Sequence, residues 1–156
     1  MTERFSLGDF DETIRLVLES GGEFTIWPRG VSMRPYITQG RDSVVLVRPP
    51  KKLKKGDIAL YRRNSGAYVL HRVISAEGDS LTFCGDNQLT LEHGIGREQV
   101  MAVVCRINRK GKSVPVTSLP YRLYVLVWSC FAVRRCWFFA RKCRNRLRRL
   151  IKKSGK

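Results

Sequence analysis

Asp57-Ile58-Ala59-Leu60-Tyr61-Arg62, then Arg63-Asn64-Ser65-Gly66, then Ala67-Tyr68-Val69-Leu70-His71-Arg72-Val73-Ile74, is the stretch that decides the fold. Two runs rich in β-branched, aromatic and other apolar residues flank a polar turn that ends in glycine, the pattern of a β-hairpin. Its surroundings read the same way. Upstream, Phe24 to Trp27 alternates into Pro28, and Ser43 to Val47 is a buried strand stopped by Pro49-Pro50. Downstream, Ser80 to Cys84 follows the turn Glu77-Gly78-Asp79, Val100 to Ile107 is another strand, and Lys110-Gly111-Lys112 turns into Val114-Pro115-Val116. Short strands at this spacing predict a mainly β domain over residues 23–117. Ahead of it, Phe10, Ile14, Val17 and Leu18 recur at helical spacing behind Asp9 and Asp11, and Gly21-Gly22 stop the run. Residues 1–22 are therefore predicted as a short N-terminal helical segment.

Charge divides the chain differently. The net charge is +17 over 156 residues, yet residues 121–156 hold twelve Lys and Arg and no acid, and the last acid is Glu98. The first 120 residues carry only +5, an ordinary balance for a folded domain. Five cysteines (Cys84, Cys105, Cys130, Cys136, Cys143) form no Cys-x-x-Cys, and with two histidines they offer little to a metal, so reduced thiols and no metal or cofactor are expected. Lys51 to Lys55 reads as a solvated basic turn. Glu3, Asp9, Asp11, Glu12 and Glu19 crowd the N-terminus, which lacks the cationic start and apolar core of a secretory signal.

Residues 118–156 are predicted as a basic amphipathic helix. Ser118-Leu119-Pro120 is a helix start with proline in the first turn. Leu123 to Val133 is apolar, but eleven residues fall short of the roughly twenty a bilayer requires. Beyond Arg134-Arg135, Ala132, Cys136, Phe139, Cys143, Leu147 and Leu150 fall on one face and basic residues cover the rest. Such a helix suits an anionic membrane surface, contacted through residues 121–153. Two other readings stand beside it: a segment packed on the β domain with a solvated tail, and a span ending at Arg134-Arg135 that would place the domain outside. A nucleic-acid partner is disfavoured, because no aromatic platform or DNA-reading motif accompanies the charge.

The chemistry-bearing residues sit on three segments: Gly30-Val31-Ser32-Met33-Arg34-Pro35, His71 on the hairpin, and Gly85-Asp86-Asn87. A serine hydroxyl needs a base to take its proton, and imidazole serves at neutral pH. A carboxylate on the far ring nitrogen fixes the tautomer and stabilises the imidazolium. Gly30 lets the backbone approach a scissile carbonyl, and the Ser32 N–H is placed to meet a developing oxyanion. Taken singly, each piece is ordinary: a serine in a turn, a histidine on an apolar strand, a Gly-Asp-Asn turn. Their joint occurrence, in this order, carries the reading.

Four segments together resemble the boxes of type I signal peptidases and the self-cleaving SOS-type repressors. Gly30 to Pro35 with Ile37 and Gly40-Arg41-Asp42 is similar to the nucleophile box. Lys55-Gly56-Asp57-Ile58-Ala59-Leu60-Tyr61 resembles the next strand, Tyr68 to Ile74 the general-base box, and Phe83-Cys84-Gly85-Asp86-Asn87 the terminal box. The likeness covers about residues 24–107. It implies a signal-peptidase/repressor-type β catalytic domain and a serine endopeptidase that cleaves signal or leader peptides, bound as an extended strand with small residues at the cut. Common bacterial members use a lysine base, whereas the endoplasmic-reticulum and archaeal branch uses histidine. No lysine lies between Lys55 and Lys110, so the resemblance points to the Ser-His branch. It assigns Ser32 as nucleophile, His71 as base and Asp86 as the orienting carboxylate, with Glu92 as the alternate and Gly30 and Met33 as oxyanion or substrate contacts. His93, outside any box, reads as a loop histidine.

The chain departs from the family in lacking an N-terminal anchor, in Gln88 where the Ser-His branch repeats Asn, and in placing its one membrane-directed element at the C-terminus. A membrane-associated peptidase is the expectation, its side left open. The alternatives are a self-cleaving regulator, for which about 22 residues before the first strand are too few to hold a DNA-binding head, and a non-catalytic, membrane-tethered binding module.

Overall fold

The computed structural model describes residues 11–154. Helix α1 (Asp11–Glu19) leads into β1 (Phe24–Ile26), β2 (Ser43–Val47), β3 (Ile58–Arg62), β4 (Tyr68–Glu77), β5 (Ser80–Cys84), β6 (Glu92–Gly96), β7 (Val100–Arg109) and β8 (Lys112–Pro115). Helices α2 (Leu119–Trp128) and α3 (Phe131–Ser154) complete the described chain. Over the described residues it is a mainly β protein with an antiparallel sheet and three α-helices. Phe10, placed in the first helix by its spacing, lies outside the described residues, as do Glu3 and Asp9.

The strands run in the order β1-β2-β7-β3-β4-β5-β6, with β8 on β7. Two long strands change partner midway. On β7, Val100 to Val103 pair with β3 and Arg106 to Arg109 with β8. On β4, Tyr68 to Arg72 pair with β3, and β5 joins only from Arg72 onward. The other edge of Tyr68 to His71 is therefore unpaired among the described strands. That gap is where the site forms.

Each sheet face feeds its own core, as the two-residue period requires. Strand β3 shows it directly, with Ile58 to Tyr61 all buried. Ile58 and Leu60 join one cluster with Ile14, Leu46, Ile107 and Tyr121, while Ala59 and Tyr61 join another with Val73, Phe83 and Ile95. Burying each large aliphatic side chain contributes roughly 1.5–3 kcal/mol. A strand buried on both faces has no polar side to show, which explains the unbroken apolar run Ile58 to Tyr61.

Strand β6 is not among the strands the sequence predicts, and His93 within it reads there as a loop histidine. Glu-His-Gly-Ile-Gly has two glycines and a single core-facing residue, Ile95, so no alternation marks it. Its backbone ladder to β5 makes it a strand. His93 accordingly sits on a strand rather than in a loop, exposed, with Nδ1 3.2 Å from Thr82 Oγ1.

The single C-terminal helix expected over residues 118–156 is two helices, bent 80° at their junction. Neither alone is long and apolar enough to cross a membrane. Helix α2 lies on the β domain, burying Tyr121 and Trp128 with Tyr124 and Val125 packed beside the core. At the break, Nε of Arg134 donates to the Trp128 carbonyl at 2.6 Å, satisfying an acceptor that a helix end leaves open. Arg134, read from sequence as the interruption of an apolar run, is wholly buried.

Candidate active site

Ser32 lies in the irregular turn after β1. Gly30 opens that turn at φ +89°, a left-handed conformation that suits glycine, and its N–H donates to Gln39 Oε1 at 2.6 Å. The segment is anchored by its apolar side chains, since Met33 and Ile37 are buried in the core. It is also anchored by the Gly85-Asp86-Asn87 turn, whose Asn87 N–H donates to the Ser32 carbonyl at 2.6 Å. A Cβ on Gly85 would sit 2.8 Å from that carbonyl, so only glycine allows the two loops this approach. Among the described residues, the N–H groups of Ser32 and Met33 have no protein acceptor. Gly30, expected as an oxyanion or substrate contact, has its own N–H taken by Gln39.

Across from this turn, Ser32 and His71 line one cavity of about 270 Å³ with Pro28, Gly30, Met33 and Leu70. No hydrogen bond joins Ser32 to His71 in this state. Such contacts in an unliganded site often tighten only with substrate.

His71 is held from behind. It pairs with Ala59 across the hairpin, so its side chain shares a face with Tyr61, whose hydroxyl lies 3.3 Å from Nδ1. That hydroxyl donates its one hydrogen to Glu92 Oε2 at 2.8 Å. A carboxylate only accepts, so the Tyr61 oxygen is left to accept from Nδ1–H. Nε2 is then the unprotonated nitrogen, as a general base requires. Glu92 is in turn gripped by Arg63 through two bonds of 2.6 Å. Those bonds are the main reason its acidity is strengthened and its charge retained. Burial and the Glu92 contact push the Tyr61 phenol upward, keeping it protonated. Burial lowers His71 to about 4, against the pull of Glu92, so the imidazole is neutral at pH 7.

Asp86, expected to orient His71, bonds elsewhere. Its carboxylate receives Arg72 Nε at 2.8 Å and Nη2 at 2.6 Å, with both residues wholly buried, and the Tyr124 hydroxyl at 3.1 Å. Arg72 also donates to the Gly56 carbonyl at 2.7 Å and to the Tyr121 hydroxyl at 3.0 Å. From the helices, Trp128 Nε1 donates to the Asp86 carbonyl at 2.8 Å, and Arg134 Nη1 to the Gly85 carbonyl at 3.1 Å. This arrangement makes Asp86 the centre of a structural network. The carboxylate connected to His71 is the alternate, Glu92, through Tyr61.

The residues that sequence reasoning passed over are therefore Tyr61, Arg63, Arg72 and the C-terminal group Tyr121, Tyr124, Trp128 and Arg134. Hairpin register alone could have found Tyr61, two residues along from the partner of His71. Nothing local marks the C-terminal group. Among the described residues no set of three His, Cys, Asp or Glu converges as a metal site. The cysteines are free thiols, Cys84 buried and its thiol pushed up by that burial.

Compared with protein-family models, curated proteins and solved structures, the chain has no significant match.

Proposed function

We propose that this chain is a serine endopeptidase of the signal-peptidase-like type, acting through Ser32 and His71 on an extended leader or signal peptide. The observation that carries the reading is the shared cavity, with His71 presented to it neutral and with Nε2 unprotonated. The four sequence boxes support it independently, because they meet at this one place: the Gly85 turn braces the Ser32 loop and the two hairpin boxes supply Tyr61 and His71.

In this mechanism His71 Nε2 takes the Ser32 hydroxyl proton as Oγ attacks the scissile carbonyl. The oxyanion meets the N–H groups of Ser32 and Met33. Collapse of the intermediate breaks the peptide C–N bond, the imidazolium returns its proton to the leaving amine, and an acyl-Ser32 ester remains. Water activated by His71 then hydrolyses the ester. The imidazolium formed twice along this path faces the Tyr61–Glu92 relay, which offsets part of the cost of charging a buried ring.

Substrate binding follows from the unpaired edge of Tyr68 to His71, which leaves backbone groups available to an added strand. A cavity of about 270 Å³ favours small side chains beside the cut.

The test is proteolysis of a set of leader-type peptides by wild type, Ser32→Ala and His71→Ala, with circular dichroism to confirm that all three fold. Loss of cleavage in both variants is expected; cleavage that survives Ser32→Ala refutes the proposal.

A further inference from the structure

The two C-terminal helices each carry two apolar stripes, and the domain covers one of each pair. On α2, Tyr121, Val125 and Trp128 turn inward, while Leu119, Leu123 and Leu126 lie on the opposite side and are 68%, 53% and 72% exposed. On α3, Arg134 is buried, Trp137 meets Trp128 edge-on with ring centroids 5.8 Å apart, and Arg141 donates to Asn87 Oδ1. Half a turn away, Ala132, Cys136, Phe139 and Cys143 are exposed, Phe139 by 70%. A helix that packs on a domain needs one apolar stripe. The second has no partner among the described residues, and exposed apolar surface of this extent marks an interaction face.

Charge identifies the partner. The outer stripes are bordered by Arg122, Arg135, Lys142, Arg144 and Arg146, all exposed and none in an ion pair among the described residues. No acid occurs anywhere in residues 121–156. Beside α2 opens a cavity of about 760 Å³ lined by Lys54 and Lys55 together with Arg122, Val116, Val125 and Leu126, which continues the same combination onto the β domain. Apolar side chains bordered by unpaired cations are complementary to acyl chains beneath anionic headgroups. Arg134 and its partners hold both helices against the domain, so neither is free to cross a bilayer alone.

We infer that the outer faces of α2 and α3, with the Lys54–Lys55 turn, dock on the surface of an anionic lipid bilayer, holding the domain at the interface without a transmembrane span. This inference does not rest on the peptidase proposal, and Ser32→Ala should bind like wild type.

The experiment is co-sedimentation of the full chain with vesicles of phosphatidylcholine alone and of phosphatidylcholine mixed with phosphatidylglycerol. The chain should pellet with the mixed vesicles and be released by high salt. Leu123→Glu/Leu126→Glu and, separately, Phe139→Glu should each weaken binding by about tenfold or more. These positions are exposed, so the fold, followed by circular dichroism, should be retained. Equal binding by these variants, absence of binding to the mixed vesicles, or retention in the bilayer at high salt would overturn the inference. A salt-stable dimer broken by the same leucine variants, without vesicle binding, would assign the stripe to a second copy instead. Binding to duplex DNA that the leucine variants leave unchanged, again without vesicle binding, would assign the charge to nucleic acid.

Discussion

The Tyr61 hydroxyl stands 3.3 Å from Nδ1 of His71, and because its own hydrogen is committed to Glu92 it acts on the ring as an acceptor. A phenol thus does the work usually given to a carboxylate in direct contact: it selects the tautomer. The negative charge is one residue further back, held by Arg63. This lowers the electrostatic support for an imidazolium but leaves the ring neutral and oriented in a buried site.

Tyr61→Phe removes the acceptor while keeping the ring that stacks on Phe83 at 4.3 Å. Cleavage should fall by about one to two orders of magnitude, mainly in kcat, because the tautomer is no longer selected. Unfolding should show little loss, since the change preserves the packed volume. The kcat and KM values of the variant, beside its urea midpoint, check this.

Glu92→Gln and Asp86→Asn should separate catalysis from stability. Glu92 and Arg63 are both partly exposed, so losing their ion pair costs at most about 1 kcal/mol, whereas the relay to His71 loses its charge. Asp86→Asn leaves Arg72 buried and uncompensated, a loss of about 3–5 kcal/mol. Urea denaturation and peptide cleavage of the two variants should rank them in opposite order.

The pH dependence follows from His71. Its folded-state pKa of about 4 lies below the ordinary value of 6.5, so between these limits the unfolded chain binds more protons than the folded one. Stability should therefore rise with pH across this window and be lost as pH falls through it, by an amount on the order of 3 kcal/mol. His71→Gln should flatten this part of the profile. Cleavage by the wild type should keep its rate down to an acid limb near pH 4, and a limb near 6.5 in kcat/KM would contradict burial as the controlling influence.

Arg134→Leu tests whether the C-terminal helices brace the site. The arginine donates to the carbonyls of Trp128 and Gly85; its loss strands the Trp128 carbonyl in the interior and leaves the Gly85 carbonyl to the Gln88 N–H. A destabilisation of roughly 2–4 kcal/mol is expected, with reduced cleavage, because the Gly85 turn supports the Ser32 carbonyl. Removing residues 118–156 should cost more, since Tyr121, Tyr124 and Trp128 leave with them. Thermal melting of both variants, with peptide cleavage at a temperature where each is folded, measures the effect.

Much of the molecule was legible in order of residues alone. Proline and glycine punctuation marked Ser43 to Val47 and Ser80 to Cys84 with their observed bounds, because turn chemistry acts locally. Ser32 and His71 are paired by their sequence boxes, and in the structure both line one cavity. What local pattern could not convey was strand β6, whose glycines hide a ladder made entirely by backbone, or the kink at Trp128, which depends on a guanidinium from the next helix.

The amino-acid sequence by itself determined the mainly β class, the residue types available for chemistry and the concentration of charge at the C-terminus, since these rest on composition and short-range periodicity. Only the tertiary structure decided which carboxylate is connected to His71 by hydrogen bonds. Pairing of Ala59 with His71 places Tyr61 beside the ring, and a register one residue different would turn it to the other face of the sheet. Asp86 was drawn away by Arg72, its neighbour across a buried, low-dielectric space in which neither charge could stand alone. That choice depends on distances between segments far apart in the chain, and no spacing along the sequence contains them.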